Sequence, residues 1–234
     1  MQSLIKELNK LKDSVRAEHS QRFFKTGKGE YGEGDVFIGL TMPQLRKVAS
    51  NYQDLSINTL EQLLYSKIHE HRMIALLIAV LQYKKAIKQE SKKAIYDFFI
   101  VHSKQINNWD LVDVTVPHVV GDYLLDKDRS ILYKFAKSKN LWQRRIAVLA
   151  CFAFIREKDF KDAIKISELL LQDKHDLIHK AVGWMLREIG KRDEKVLTKF
   201  LDKYCLQMPR TMLRYSIERL EETKRKDYLN KKAR

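Results

Sequence analysis

Trp109 and Asp113 stand four residues apart in the run Asn108-Trp109-Asp110-Leu111-Val112-Asp113, which puts an indole and a carboxylate on one face of a helix. An aspartate on such a face is costly to bury unless something neutralises it, and beside a cationic surface it can stabilise positive charge in a bound substrate. Asp110 has a plainer reading. With Asn107 as N-cap it falls at the third helical position, where a carboxylate suits the free amides and the helix dipole, whereas Asp113 lies past the first turn. Lys180 and Trp184 repeat the four-residue spacing further along. In Leu141-Trp142-Gln143-Arg144-Arg145, Arg144 can grip a phosphate through its guanidinium and Arg145 is a second candidate, while Trp142 reads as core.

The elements that must position these residues are helical. Only three prolines occur, apolar residues recur at helical spacing in almost every segment beyond Thr41, and no stretch alternates as a strand. The earlier run from Leu4 to Phe24, with Leu4, Leu8, Leu11 and Val15, also reads as a helix. At a fixed offset of 36 residues, the segments beginning at His71, Asn107, Gln143 and His179 come into one register, each preceded by a further apolar-periodic segment. A stack of helical hairpins with that period lies near the HEAT and armadillo range. The expected fold is therefore an all-α HEAT-like or armadillo-like solenoid forming a single domain over residues 1–234, with a basic concave face.

In that register Arg72, Asn108, Arg144 and Lys180 hold equivalent positions and should form a polar, mostly cationic column, with neighbouring repeats roughly 10 Å apart. Such a column can follow a phosphodiester backbone. The alternative is a set of polar residues at exposed helix ends. The overall charge favours a polyanionic partner: 45 Lys and Arg against 30 Asp and Glu leave +15. Part of that excess lies in a basic tail over residues 224–234, which could be a disordered arm.

Cys151 and Cys205 both sit in apolar helical contexts and read as inert buried thiols of a reducing interior. No metal-binding framework is present, the longest apolar run is far too short for a bilayer, and no apolar signal core opens the chain, so a cytoplasmic protein without metal, cofactor or membrane partner is expected. Gly27, Gly29 and Gly32 in KTGKGEYGEGD have the spacing of a dinucleotide fingerprint, but a helix precedes them rather than a strand. The expectation is a Gly-rich loop over residues 27–39 that binds no nucleotide and leads to a helix capped by Thr41 and opened by Pro43.

The segments Trp109-Asp110-Leu111-Val112-Asp113 leading to Val116-Pro117, Leu141-Trp142-Gln143-Arg144, and Lys180-Ala181-Val182-Gly183-Trp184-Met185-Leu186-Arg187-Glu188 resemble the AlkD-type DNA alkylation repair glycosylases. These are HEAT-like repeat proteins, and the likeness runs from about Leu60 onward. It implies hydrolysis of the glycosidic bond of cationic N3- and N7-alkylated purines, 3-methyladenine and 7-methylguanine, in double-stranded DNA, by a monomer. It also implies that Trp109 and Trp184 flank the lesion deoxyribose, that Asp113 is the catalytic carboxylate, and that Arg144 holds the nearby backbone. The chemistry is consistent. An alkylated purine already carries positive charge and leaves neutral, so the sugar becomes the cation, and a carboxylate and indole faces nearby favour that transition state.

The main alternative is a non-catalytic HEAT-repeat DNA-binding protein that recognises distorted or branched DNA. It keeps the cations and does not need Asp113. A HEAT-type scaffold gripping a protein, or an RNA-binding role, are further alternatives, separated by the salt dependence of binding and by the polymer bound.

Overall fold

The computed structural model describes residues 1–231. Its fourteen α-helices and one π-helical turn account for the regular structure among those residues, and no strand occurs beyond an isolated parallel bridge between Val36 and Ile68. The chain divides into two compact units, Met1–Thr115 and Val116–Arg234.

The first unit holds α1 (Gln2–Lys10), α2 (Ser14–Phe23), α3 (Met42–Asn51), α4 (Ile57–Leu64), α5 (His69–Lys85), α6 (Gln89–Val101) and α7 (Trp109–Val116), which ends at the boundary. The single helix expected from Leu4 to Phe24 is two helices. Asp13 accepts a hydrogen bond from the Arg16 amide at 2.9 Å and caps a new helix, so the period breaks: Leu4 and Leu8 are buried while Val15 is exposed. Helix α3 starts as its sequence dictates, with Thr41 and Gln44 forming a reciprocal capping box and proline in the first turn.

Helix α5 is the core of this unit. Packed by α3, α4 and α6, it buries Met73 to Val80 without interruption, each large aliphatic side chain contributing about 1.5–3 kcal/mol. A helix enclosed on several sides cannot keep a polar face, and the polar residues of its first turn, His69 to Arg72, are buried too.

The second unit contains the π-helical turn Pro117–Gly121, α8 (Ser130–Ala136), α9 (Leu141–Arg156), α10 (Lys161–Leu169), α11 (Asp176–Gly190), α12 (Glu194–Tyr204), α13 (Arg210–Ser216) and α14 (Glu222–Asn230). Helix α9 packs with α8, α10 and α11, and α11 packs with α12 and α13. Gly183 makes that last approach possible, because a Cβ there would meet Met212 O at 2.6 Å and Tyr215 Cβ at 2.5 Å. The helices expected at the 36-residue repeat are α5, α7, α9 and α11, preceded by α4, α6, α8 and α10.

The basic tail is a helix up to Asn230 rather than a disordered arm. Tyr228 donates to Asp202 at 3.0 Å, and Lys224 and Lys231 pair with Glu194 and Asp202. The tail's last three residues, 232–234, lie outside the described residues. Cys151 and Cys205 are free and buried, and burial pushes the Cys151 thiol far above its usual range. Among the described residues no helix is long and apolar enough to cross a membrane.

Candidate nucleic-acid interface

In the first unit, α7 begins at Trp109, one residue later than a cap at Asn107 would require. Asn108 Oδ1 takes the Trp109 amide at 2.8 Å, so Asn108 occupies the cap position and Asp110 lies in the second helical position. Trp109 and Asp113 are half-buried, one turn apart. The Trp109 indole stacks on Phe24 (centroids 5.1 Å, 18°) and meets Phe23 edge-on at 5.9 Å. Phe24 stacks in turn on Phe37, and Phe37 on His69. The tryptophan is thus fixed from one side by a buried aromatic stack.

Beneath it lies a polar cluster that joins Arg72 and Asn108 to Asp35, His69 and Glu70, which the sequence-based site lacked. Asp35, within the Gly-rich loop, pairs with Arg72 at 2.7 Å, lies 3.5 Å from His69 Nδ1, and accepts from Asn108 Nδ2 at 3.1 Å. His69 Nε2 is 2.9 Å from Asp110 Oδ2. Glu70 accepts from the amides of Ile38, Gly39 and Leu40 at 3.0, 2.8 and 3.3 Å. Backbone hydrogen bonds from Val36 to Lys67 O and from His69 to Val36 O complete the clasp. The Gly-rich segment therefore ends by docking on the start of α5, and through Asp35 and Asn108 it reaches the start of α7.

Burial resists the charge on Asp35, but His69, Arg72 and Asn108 outweigh it and hold the carboxyl below its ordinary value. Burial likewise resists protonation of His69. Asp110 and then Asp35 overcome it, and the imidazole titrates above its ordinary range in spite of Arg72.

Two members of the expected cationic column are corrected by this geometry. Arg72 is 3% exposed and Asn108 0%; both face Asp35 rather than solvent, because a first turn enclosed in the core needs internal partners. Asp110 is also corrected: it is a partner of His69 as well as a helix-start residue. The clue in the sequence was His69-Glu70-His71-Arg72, four polar residues opening an apolar helix and so demanding partners from elsewhere.

In the second unit, Asn140 caps α9 by accepting from the Trp142 and Gln143 amides. Trp142 is buried, as expected of a core residue. Arg144 keeps limited exposure; its Nε donates to Asp173 at 2.6 Å and Nη1 donates to Ser138 O and Lys139 O at 3.0 Å each. Arg72 uses the same device, donating from Nη1 to Ser66 O at 2.9 Å, so the two-period sequence offset recurs as a hydrogen bond to a carbonyl six residues back. Arg145 is buried and donates to Leu177 O in the first turn of α11, which places it in the packing of α9 on α11 rather than at the surface. Lys180 is partly exposed and 2.7 Å from Asp176. Trp184 is half-buried beside Phe152 at 5.9 Å, with the Arg156 guanidinium 4.5 Å from that Phe152 ring.

A family model described as DNA alkylation repair enzyme matches residues 4–220. The chain belongs to the DNA alkylation repair enzyme family. A predicted DNA alkylation repair enzyme from Enterococcus faecalis is similar at 17% identity, covering 90% of this chain and 97% of its own, with a TM-score of 0.69. AlkD2 from Streptococcus mutans is similar at 16% identity, covering 89% and 99%, with a TM-score of 0.57. At such identities the likeness is one of fold, and it gives the chain the AlkD-like, HEAT-type all-α architecture anticipated from its repeats. No curated protein matches the chain.

Proposed function

We propose that the protein is a DNA glycosylase that hydrolyses the N-glycosidic bond of cationic N3- and N7-alkylated purines in duplex DNA. The observation carrying this reading is Asp113, a half-buried carboxylate one helical turn from a tryptophan fixed by stacked aromatic rings, in a chain of the DNA alkylation repair enzyme family. Such a carboxylate acts on charge that appears on the sugar as the bond breaks, and it needs no strong general acid because the alkylated base leaves neutral. Trp109 supplies a π face for the same developing cation.

In the second unit, Trp184 is the group for deoxyribose contact, and Arg144 and Lys180 are the groups for phosphate. Arg144 enters this role already oriented by Asp173 and two carbonyls, which lowers the cost of ordering it on a phosphate. The rival reading, a DNA-binding protein without catalysis, keeps the phosphate contacts and makes no use of Asp113.

Incubation with methylated duplex DNA and chromatography of the released bases separates the two. Free 7-methylguanine or 3-methyladenine supports the glycosylase. Tight, salt-sensitive binding with no base released supports the rival.

A further inference from the structure

Helix α2 buries none of its ten residues and ends in two phenylalanines with opposite surroundings. Phe24 lies inside the stack of Trp109, Phe37 and His69. Phe23 is 58% exposed and leaves much of an apolar ring in water. It is nonetheless held in place: Trp109 meets it edge-on at 5.9 Å, Phe24 edge-on at 5.1 Å, and His19, one turn back, lies parallel to it at 6.4 Å. His19, Phe23 and Trp109 make a strip one ring wide that leads out from the candidate site.

The Gly-rich loop is what fixes the strip. After Phe24 the chain turns through Lys25, whose φ is +52°, and the Gly32 amide closes on Lys25 O at 3.1 Å. Only glycine fits there, because a Cβ on Gly32 would stand 2.5 Å from Phe24 O. Glu30 and Glu33 turn inward on the loop, accepting from the Gly27 and Gly29 amides at 2.9 and 2.8 Å. Lys25 and Lys28 are exposed and have no carboxylate partner among the described residues. Residues 14–28 carry Arg16, Arg22, Lys25 and Lys28 against the single carboxylate Glu18.

We infer that Phe23 is a stacking site for a nucleobase unstacked from bound DNA, next to the nucleotide that Trp109 contacts, with Lys25 and Lys28 on the flanking phosphates. This rests on the glycosylase reading for the neighbouring role of Trp109. A single aromatic width flanked by cations matches a base and its backbone, since every base offers a π face and its phosphates need cations. A second copy of this chain would instead require a broad apolar patch, and the exposed surface of α2 around Phe23 is mostly polar and charged.

The test uses two DNA duplexes, one fully paired and one with 2-aminopurine opposite a tetrahydrofuran abasic analogue, which leaves one fluorescent base free to stack. On the second duplex, Phe23→Ala should weaken binding roughly ten-fold and abolish the change in 2-aminopurine emission, since base–aromatic stacking is commonly of that size. On the paired duplex it should bind within about two-fold of the parent, and Phe23→Trp should restore both signals on the first. Equal binding of both duplexes by parent and Phe23→Ala, with 7-methylguanine still released from methylated DNA, overturns the stacking site and leaves the glycosylase reading standing. Emission changes that depend on Phe23, with no base released by the parent, support the stacking site and sink the glycosylase reading. Self-association in sedimentation that Phe23→Ala abolishes, with the emission unchanged, overturns the inference in favour of a second copy.

Discussion

His69 Nε2 lies 2.9 Å from Asp110 Oδ2, which ties the residue after Trp109 to the first turn of α5. Asp110→Asn keeps the shape and removes the charge from a pair in which His69 is buried and the Asp110 side chain is 15% exposed. The expected cost is about 2 kcal/mol, the range of a hydrogen bond between charged groups with little solvent. Urea unfolding of the two proteins measures it. A loss under about 0.5 kcal/mol, the scale of a surface substitution, would mean the pair contributes nothing to stability.

The same cluster gives the first unit a pH dependence with two edges. His69 titrates above the ordinary histidine value of 6.5, so its stabilising contribution is complete below about that pH and is lost as pH rises through the higher folded value. Asp35 titrates below the ordinary aspartate value of 3.8, so its contribution is complete above that and is lost as pH falls through the lower folded value. The groups facing His69 are Asp110, Asp35 and Arg72, and only the two aspartates favour its charge. Thermal unfolding from pH 6 to 9 should show stability falling with pH, and His69→Gln should flatten that slope. A parent protein with no slope across this range would contradict it.

Much of the helical framework could be read in the sequence because it follows from local rules. The apolar period marks α4 to α11, the Thr41 box marks α3, and Trp142 and both cysteines declare themselves core. The inward turn of Arg72 and Asn108 could not be read, because it depends on Asp35, which is 37 residues from Arg72 and 73 from Asn108. A register argument places equivalent residues at equivalent helix positions. It cannot say that α5 is enclosed where another helix is not. The break between α1 and α2 was within reach, since Asp13 is a good cap, but four apolar residues at helical spacing outweighed it.

The Gly-rich segment offers a contrast between two glycines with the same backbone sign. Gly39 has φ +83°, and a Cβ there would stand 2.1 Å from Asp13 O and 2.8 Å from Ala17 N; Gly29 has φ +79° and open space around it. Gly39→Ala must push α2 off the loop and should cost about 3 kcal/mol or more. Gly29→Ala meets only the strain of a left-handed alanine, about 1 kcal/mol. Chemical denaturation separates them, and equal losses would mean that α2 yields freely.

Arg72 and Lys180 share a repeat position yet should fail differently when truncated. Arg72→Ala leaves Asp35 buried without its main cation and should destabilise by about 3–5 kcal/mol. Lys180 is partly exposed and its partner Asp176 more so, so Lys180→Ala should leave stability nearly unchanged. Under the proposed function it should reduce the slope of log affinity for duplex DNA against log salt by about one. An unchanged slope would remove Lys180 from the phosphate contacts.

Asp113→Asn tests the proposed chemistry most directly, because it removes a charge whose value depends on a cation that exists only as the glycosidic bond breaks. Excision of 7-methylguanine in single turnover, with enzyme in excess, should fall by about two orders of magnitude or more, the usual effect of losing one preorganised electrostatic group. Affinity for the methylated duplex should hold or rise, since an anion has been taken from a surface that meets phosphates. Asp110→Asn cannot be the control here, given its place in the His69 pair. Asp97→Asn can be, since the Asp97 side chain is 46% exposed and pairs with Lys93 one turn away on α6, a pair worth a few tenths of a kcal/mol. Slow excision in Asp113→Asn together with normal excision in Asp97→Asn gives Asp113 the chemical step. Full excision in Asp113→Asn removes it from that step, because no rearrangement of neighbouring groups restores a charge that has been deleted.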